Sequence, residues 1–291
     1  MKIFGIESVT YGLKDLEAGI RYFEDWGLRR TARGAKSGDF ETLSGQGIRL
    51  RDAADAGLPA AAEAGDTVRE VVWGTDSDAS LQEIAAELGR DRAVRQDSDG
   101  VIHTTDESGF GLGFRVASAS RSNPAAPPSA RVNRPFDPPP RVEPTRIGHV
   151  VYNVPRTHAD RASSFYLERL GFRLSDRTPD LGDFMRASGS SEHHNLFLLR
   201  AGERRGFNHV AFEVAGFDEV VFGGKHMEKA GWTPHSRPGR HWLGSNLFWY
   251  FKNPCGGNTE YYADMDRMDD RWQPRIWEKG KYPGFAMWML E

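Results

Sequence analysis

The feature that most restricts this chain is a pattern that recurs four times: an apolar strand, an amphipathic helix, and a glycine that closes the helix. The helix ends read FEDWGL, AAELGR, LERLGF and MEKAGW, with Gly27, Gly89, Gly171 and Gly231 at spacings of 62, 82 and 60 residues. Glycine enters the left-handed conformation that ends a helix at no steric cost, so all four are expected to adopt it. Shorter strand-like runs follow each glycine, and each unit reads as strand, helix, then three strands. One such unit cannot bury its own sheet face, so units must pair, and paired curved sheets enclose a cavity. The fold class that follows is α+β, with two domains, each of two βαβββ modules.

The long middle interval holds the division between pairs. From Ala117 to Glu143 the chain reads ASASRSNPAAPPSARVNRPFDPPPRVE, which cannot continue a helix or a central strand. The expected layout is an N-terminal structural domain (1–117), a Pro-rich linker (118–143), a C-terminal domain (144–265) and an aromatic tail (266–291). The tail carries Trp272, Trp277, Tyr282, Phe285 and Trp288 on a polar background, and is expected to cover a sheet edge or, by its early part, to border the cavity mouth.

Composition removes several classes of function. The chain is 38% hydrophobic and 27% charged, as globular proteins are. No run of about 18 apolar residues exists, so no membrane partner is expected, and MKIFGIESVT enters a strand without an apolar leader; a cytoplasmic location is expected. A net charge of -3 gives no pull toward nucleic acid. Cys255 is the single cysteine, which excludes a multi-cysteine metal site and leaves histidine or carboxylate as ligands.

Eight of the nine histidines follow the linker, so the chemistry is expected there. In TRIGHVVYNV a period of two sets Ile147, His149 and Val151 on one face, and in GFNHVAFEV it sets Phe207, His209 and Ala211 on one face. A lone histidine on such a face is more often a satisfied core residue than a ligand. These two, however, occupy the same place in consecutive repeats, and Glu260 lies in the last strand of the second. A carboxylate among Thr259, Tyr261 and Tyr262 needs a positive partner. Two histidines and a carboxylate on one side of a cation leave its other side open, as in non-haem iron sites. The first half is a control: Ser8 aligns with His149, Glu70 with His209 and, more loosely, Phe114 with Glu260, so the pattern persists there without the ligands.

At these residues the chain resembles the two-domain type I extradiol ring-cleavage dioxygenases of the vicinal oxygen chelate superfamily, such as the 2,3-dihydroxybiphenyl and catechol 2,3-dioxygenases. The most specific stretch is HWLGSNLFWYFKNPCGGNTEYYAD, similar to the family's histidine, tyrosine eight to nine residues on, Asn-Pro turn and metal-binding glutamate. Trp249 departs from it, an aliphatic residue or Phe being usual before that tyrosine. The resemblance implies that His149, His209 and Glu260 bind Fe(II), with Mn(II) as a possible substitute. It implies that His194 of SSEHHNLFLL faces bound oxygen, and that His241 and Tyr250 hydrogen-bond the substrate. His193 is then expected to point away by strand alternation, and His158, His226 and His235 to be solvent residues. A catechol-type diol and O2 are the implied partners, and a homo-oligomer is expected. The alternatives are a metal-dependent isomerase or thiol transferase of the glyoxalase type, or a metal-free small-molecule-binding protein of the same fold.

Overall fold

The computed structural model describes residues 1–117, 133 and 135–291. Most of the Pro-rich linker therefore lies outside the described residues. The first module runs β1 (Ile3–Leu13), α1 (Leu16–Asp25), β2 (Arg29–Gly34), β3 (Ser37–Glu41) and β4 (Gly47–Asp52). The second runs β5 (Thr67–Thr75), α2 (Asp78–Leu88), β6 (Arg95–Gln96), β7 (Ile102–Thr105) and β8 (Gly111–Val116). After the linker come β9 (Arg146–Val154), α3 (Ala159–Ser164), β10 (Arg173–Thr178), β11 (Gly182–Arg186) and β12 (Leu196–Arg200). The fourth module is β13 (Gly206–Glu213), α4 (Phe217–Lys229), β14 (Gly239–His241), β15 (Leu247–Lys252) and β16 (Asn258–Ala263). Each module is thus βαβββ, and the fold is α+β.

Modules pair through their first strands, antiparallel in both halves: β1 with β5, and β9 with β13. The sheet orders are β2-β3-β4-β1-β5-β8-β7-β6 in the first half and β10-β11-β12-β9-β13-β16-β15-β14 in the second. The tail extends the second sheet at both edges. Its β17 (Arg275–Ile276) pairs with β10 and its β18 (Ala286–Met289) with β14, so the tail does cover sheet edges.

One apolar core spans both sheets. The Trp26 ring stacks on Tyr261 at 3.6 Å, and Tyr261 donates to the Trp26 carbonyl at 2.7 Å. On the other diagonal Phe110 stacks on Tyr152 at 4.2 Å, and Tyr166 donates to the buried Asp106 at 2.8 Å. The first module therefore packs on the fourth and the second on the third.

Three of the four helix-closing glycines are left-handed, at φ +96, +68 and +90° for Gly27, Gly171 and Gly231. Gly89 is not: at φ −65° it continues the right-handed turn, and its N–H bonds the Ala85 carbonyl as a helical residue would. Gly27 is doubly required, since a Cβ there would stand 2.0 Å from the Val142 carbonyl oxygen.

Candidate metal centre

Sheet register brings the ligand side chains together. His149 of β9 lies opposite Ala211 of β13, and Ala211 lies opposite Glu260 of β16, so the three form one row across adjacent strands. Strands about 4.8 Å apart put the outer two close to 10 Å from each other at the backbone. Their long side chains close that gap above Ala211, which is too small to block them. His209 enters from two residues back on β13.

The strict period of two expected of β9 and β13 does not hold. Their pairing shifts between Phe207 and His209 and again between Ala211 and Phe212. Such irregularities re-aim side chains. Ile147 and Phe207 join the large core, while His149, Val151 and His209 line a cavity.

The Nε2 of His149 is 3.0 Å from Oε2 of Glu260, that of His209 is 3.2 Å from the same oxygen, and the two nitrogens are 3.4 Å apart. A small divalent cation takes nitrogen and oxygen ligands at about 2.1 Å, which separates neighbouring ligands by about 3.0 Å at right angles and about 3.4 Å at tetrahedral angles. The three atoms fit one cation. Among the described residues this is the group that could hold a metal ion. His209 is steered from behind, because its Nδ1 donates to Oδ1 of Asn208 at 2.8 Å and Nε2 is thereby left as a lone pair. Asn246 steers Glu260, donating to Oε1 at 3.0 Å. His149 Nδ1 is buried without a hydrogen-bond partner among the described residues.

Electrostatics concentrate here. Burial pushes the Glu260 carboxyl up, but His149 beside it, with His209 and His241 close by, outweighs this and holds it well below the usual carboxylate range. Burial lowers His209, partly offset by Glu260. Burial, then His149 and His193, push His194 well below the usual imidazole value. Burial raises Tyr250, whose hydroxyl stays protonated.

His194, His241 and Tyr250 border the same cavity, of about 240 Å³. His241 donates from Nδ1 to the Phe285 carbonyl at 2.9 Å, so its Nε2 accepts from the Tyr250 hydroxyl at 3.0 Å. The cavity's apolar wall is Val151, Phe184, Phe197, Leu199 and Leu243, closed by Tyr282 and Phe285 of the tail. The tail thus lies at the sheet edges and also at the cavity mouth, where its later residues Tyr282 and Phe285 stand rather than its early part.

Several side chains lie elsewhere than the sequence indicates. His193 faces away from the cavity, as alternation predicts, but it is buried and precedes β12 in a loop. His158 and His226 are exposed, whereas His235, though exposed, stands at the cavity mouth. Trp249 packs on α4, where a Cβ on Gly224 would meet its ring at 2.0 Å, so the departure from the family pattern falls on the side away from the cavity. In the first sheet the row equivalent to His149, Ala211 and Glu260 is Ser8, Val72 and Gly113. The residue at the Glu260 place is therefore Gly113, one before Phe114. A Cβ there would meet Val72 at 2.9 Å, and Glu70 bonds His103 at 2.8 Å instead. Asn246 and Asn208 were not expected as supports, because an asparagine in a loop or strand carries no pattern of its own.

Residues 146–261 match the Glyoxalase/Bleomycin resistance protein/Dioxygenase superfamily. Metapyrocatechase 2 of Cupriavidus necator is 44% identical over 126 residues, 43% of this chain and 38% of that protein. Biphenyl-2,3-diol 1,2-dioxygenase of Paraburkholderia xenovorans (strain LB400) is 29% identical over 145 residues, 45% of this chain and 47% of that protein. Each match spans less than half of the relative's length. Among solved structures, BphC, a halotolerant catechol dioxygenase, superposes with a TM-score of 0.77 at 17% identity, covering 99% of this chain and 94% of its own. The Mn(II)-bound glyoxalase from Novosphingobium aromaticivorans does so with 0.76 at 23%, covering 99% and 91%. At these identities the superpositions establish the fold.

Proposed function

On the premise that residues 146–261 form a domain of the Glyoxalase/Bleomycin resistance protein/Dioxygenase superfamily, we propose that the chain cleaves the ring of a catechol-type diol beside its hydroxyls, using O2 and a ferrous ion held by His149, His209 and Glu260. The observation that carries this reading is the convergence of those three ligand atoms beside a cavity that His194, His241 and Tyr250 also line. Manganese(II) accepts the same donors. When bound, such a cation supplies a lowered diol pKa and a path for electrons between ring and dioxygen.

The chain's own residues do the rest. Tyr250 donates its proton to His241, which leaves the phenolic oxygen's lone pairs for a hydroxyl of the diol. His194 faces the cavity and exchanges a proton with the reactants as the ring opens, a role suited to imidazole. The apolar wall of Phe184, Phe197, Leu199 and Leu243 excludes water and holds an aromatic ring. The product is of the 2-hydroxymuconic semialdehyde type, with both oxygen atoms incorporated. A thiol transferase or isomerase would want a base carboxylate or fourth ligand, and the group assembled here has three members. Residues 1–117 act as a structural domain and 144–265 as the catalytic one, in a reducing cytoplasmic setting that suits ferrous iron and one free, buried cysteine.

The test is oxygen uptake and yellow product formation with catechol, 3-methylcatechol and 2,3-dihydroxybiphenyl after anaerobic loading with Fe(II). Uptake tied to bound metal is expected. Metal bound without uptake on any of the three would sink the proposal.

A further inference from the structure

Behind His194 lies a file of buried polar contacts that metal binding and substrate binding do not use. The Nδ1 of His193 stands 3.0 Å from Nδ1 of His194, and its Nε2 stands 2.7 Å from Oδ2 of Asp176 on β10. His193 and Asp176 are both fully buried, at 0% exposure. Asp176 also accepts from Nε and Nη2 of Arg275 at 2.8 and 2.7 Å, and from Nε1 of Trp277 at 2.8 Å. Arg275 and Trp277 belong to the tail. Burying a carboxylate and two imidazoles in line is costly, and apolar side chains could fill the same space.

Donors and acceptors along this file alternate in one neutral way. A carboxylate only accepts, so His193 carries its proton on Nε2. Arg275 already compensates the charge of Asp176, so the contact pattern is satisfied with one proton on each imidazole. His193 Nδ1 is therefore an acceptor, and Nδ1 of His194 must donate to it. That leaves the lone pair of His194 on Nε2, for the cavity that His194 lines. We propose that Asp176 and His193 are positioning residues that fix the ring orientation and the tautomer of His194, and that the tail holds this relay in place through Arg275 and Trp277. Asp176 thereby orients a histidine that orients a second one, the logic by which a third group sets the working imidazole in hydrolytic triads. The catalytic consequence rests on the dioxygenase reading; the tautomer does not.

Two readouts separate those parts. Long-range proton–nitrogen NMR of histidine-labelled, metal-free protein, with the signal assigned by His194→Phe, should show His194 protonated at Nδ1. In Asp176→Asn an amide nitrogen at the Oδ2 place makes His193 Nε2 an acceptor. The file then inverts, and His194 should carry its proton on Nε2. In the iron-loaded enzyme the same variant should keep its KM for 2,3-dihydroxybiphenyl or catechol and lose kcat by about 10² to 10⁴, the span of a positioned proton-transfer group, whose upper end is the loss when an orienting Asp becomes Asn. His193→Asn keeps an acceptor near the Nδ1 place and His193→Gln keeps one only near Nε2. Asn should therefore retain at least about tenfold more of kcat than Gln at similar melting temperatures, a difference that loss of packing would not produce. If Asp176→Asn does not fold, this pair decides. An unchanged tautomer in Asp176→Asn, or equal rates for the two His193 variants, overturns the relay. A wild type inactive on every diol but protonated at Nδ1 of His194 would refute the dioxygenase reading and leave the relay standing.

Discussion

Asp106 offers a quantitative check on how the two sheets are joined. It is 5% exposed, lies in the turn between β7 and β8, and accepts from the N–H groups of Ser108 and Phe110 at 2.8 and 2.9 Å and from the Tyr166 hydroxyl of the third module. Burial outweighs those three donors and raises its pKa from 3.8 to about 6. A raised folded-state value means that the folded protein binds this proton more tightly than the unfolded chain does. The contribution is therefore fully present below pH 3.8 and is lost as pH rises through about 6. At 1.36 kcal/mol per unit, a rise of this size corresponds to roughly 3 kcal/mol. Asp106→Asn abolishes the titration and adds only a pH-independent offset. Urea unfolding of both proteins, metal-free with chelator present, should show the stability of Asp106→Asn rising relative to wild type by roughly 3 kcal/mol between acid and neutral pH. Other titrating groups cancel in the difference. Parallel curves across that window would refute the claim that burial, and not hydrogen bonding, sets the state of this carboxyl.

Metal analysis after anaerobic loading should find one equivalent per chain, and none retained by the combined Glu260→Ala and His209→Ala variant; two tight equivalents would contradict a single site. His194→Phe should keep iron and catechol binding while kcat falls by about 10² to 10⁴, and loss of metal would make His194 a ligand. Asn246→Leu should weaken metal affinity by about 10- to 100-fold by releasing Oε1 of Glu260, measurable by competition with a chelator. Phe285→Ala opens the cavity mouth, and the ratio of kcat/KM for 2,3-dihydroxybiphenyl over catechol should rise by roughly tenfold, whereas an unchanged ratio would place Phe285 outside the substrate's reach.

Much of the architecture was legible because it is periodic. Four repetitions of one strand-helix-strand pattern announce four modules, and the proline-rich interval marks where two pairs separate. The likeness of the second pair's first strands led to His149 and His209, and a lone carboxylate among tyrosines to Glu260. Each of these signals is read in short stretches and strengthened by comparing one repeat with another. Gly89 shows the limit even there, since its helix ends in a right-handed turn that sequence does not distinguish from the left-handed one.

What the chain did not disclose depends on register and on partners distant in sequence. A one-residue change of pairing moves a side chain to the opposite face. The shifts flanking His209 therefore separated the cavity residues from Phe207 and Ile147, and the register of β8 put Gly113, not Phe114, in the row equivalent to Glu260. His193 reads as the outward member of a histidine pair until Asp176, 17 residues earlier, and Arg275, 82 residues later, are packed against one another beside it. The tail's aromatics likewise read as a cover for a sheet edge or for the cavity mouth, and only the docking of β18 on β14 turns Phe285 toward His241 and Tyr250. Composition and periodicity fix which residues must be buried; which of them meet is decided by strand register and long-range packing, whose energies no local stretch contains.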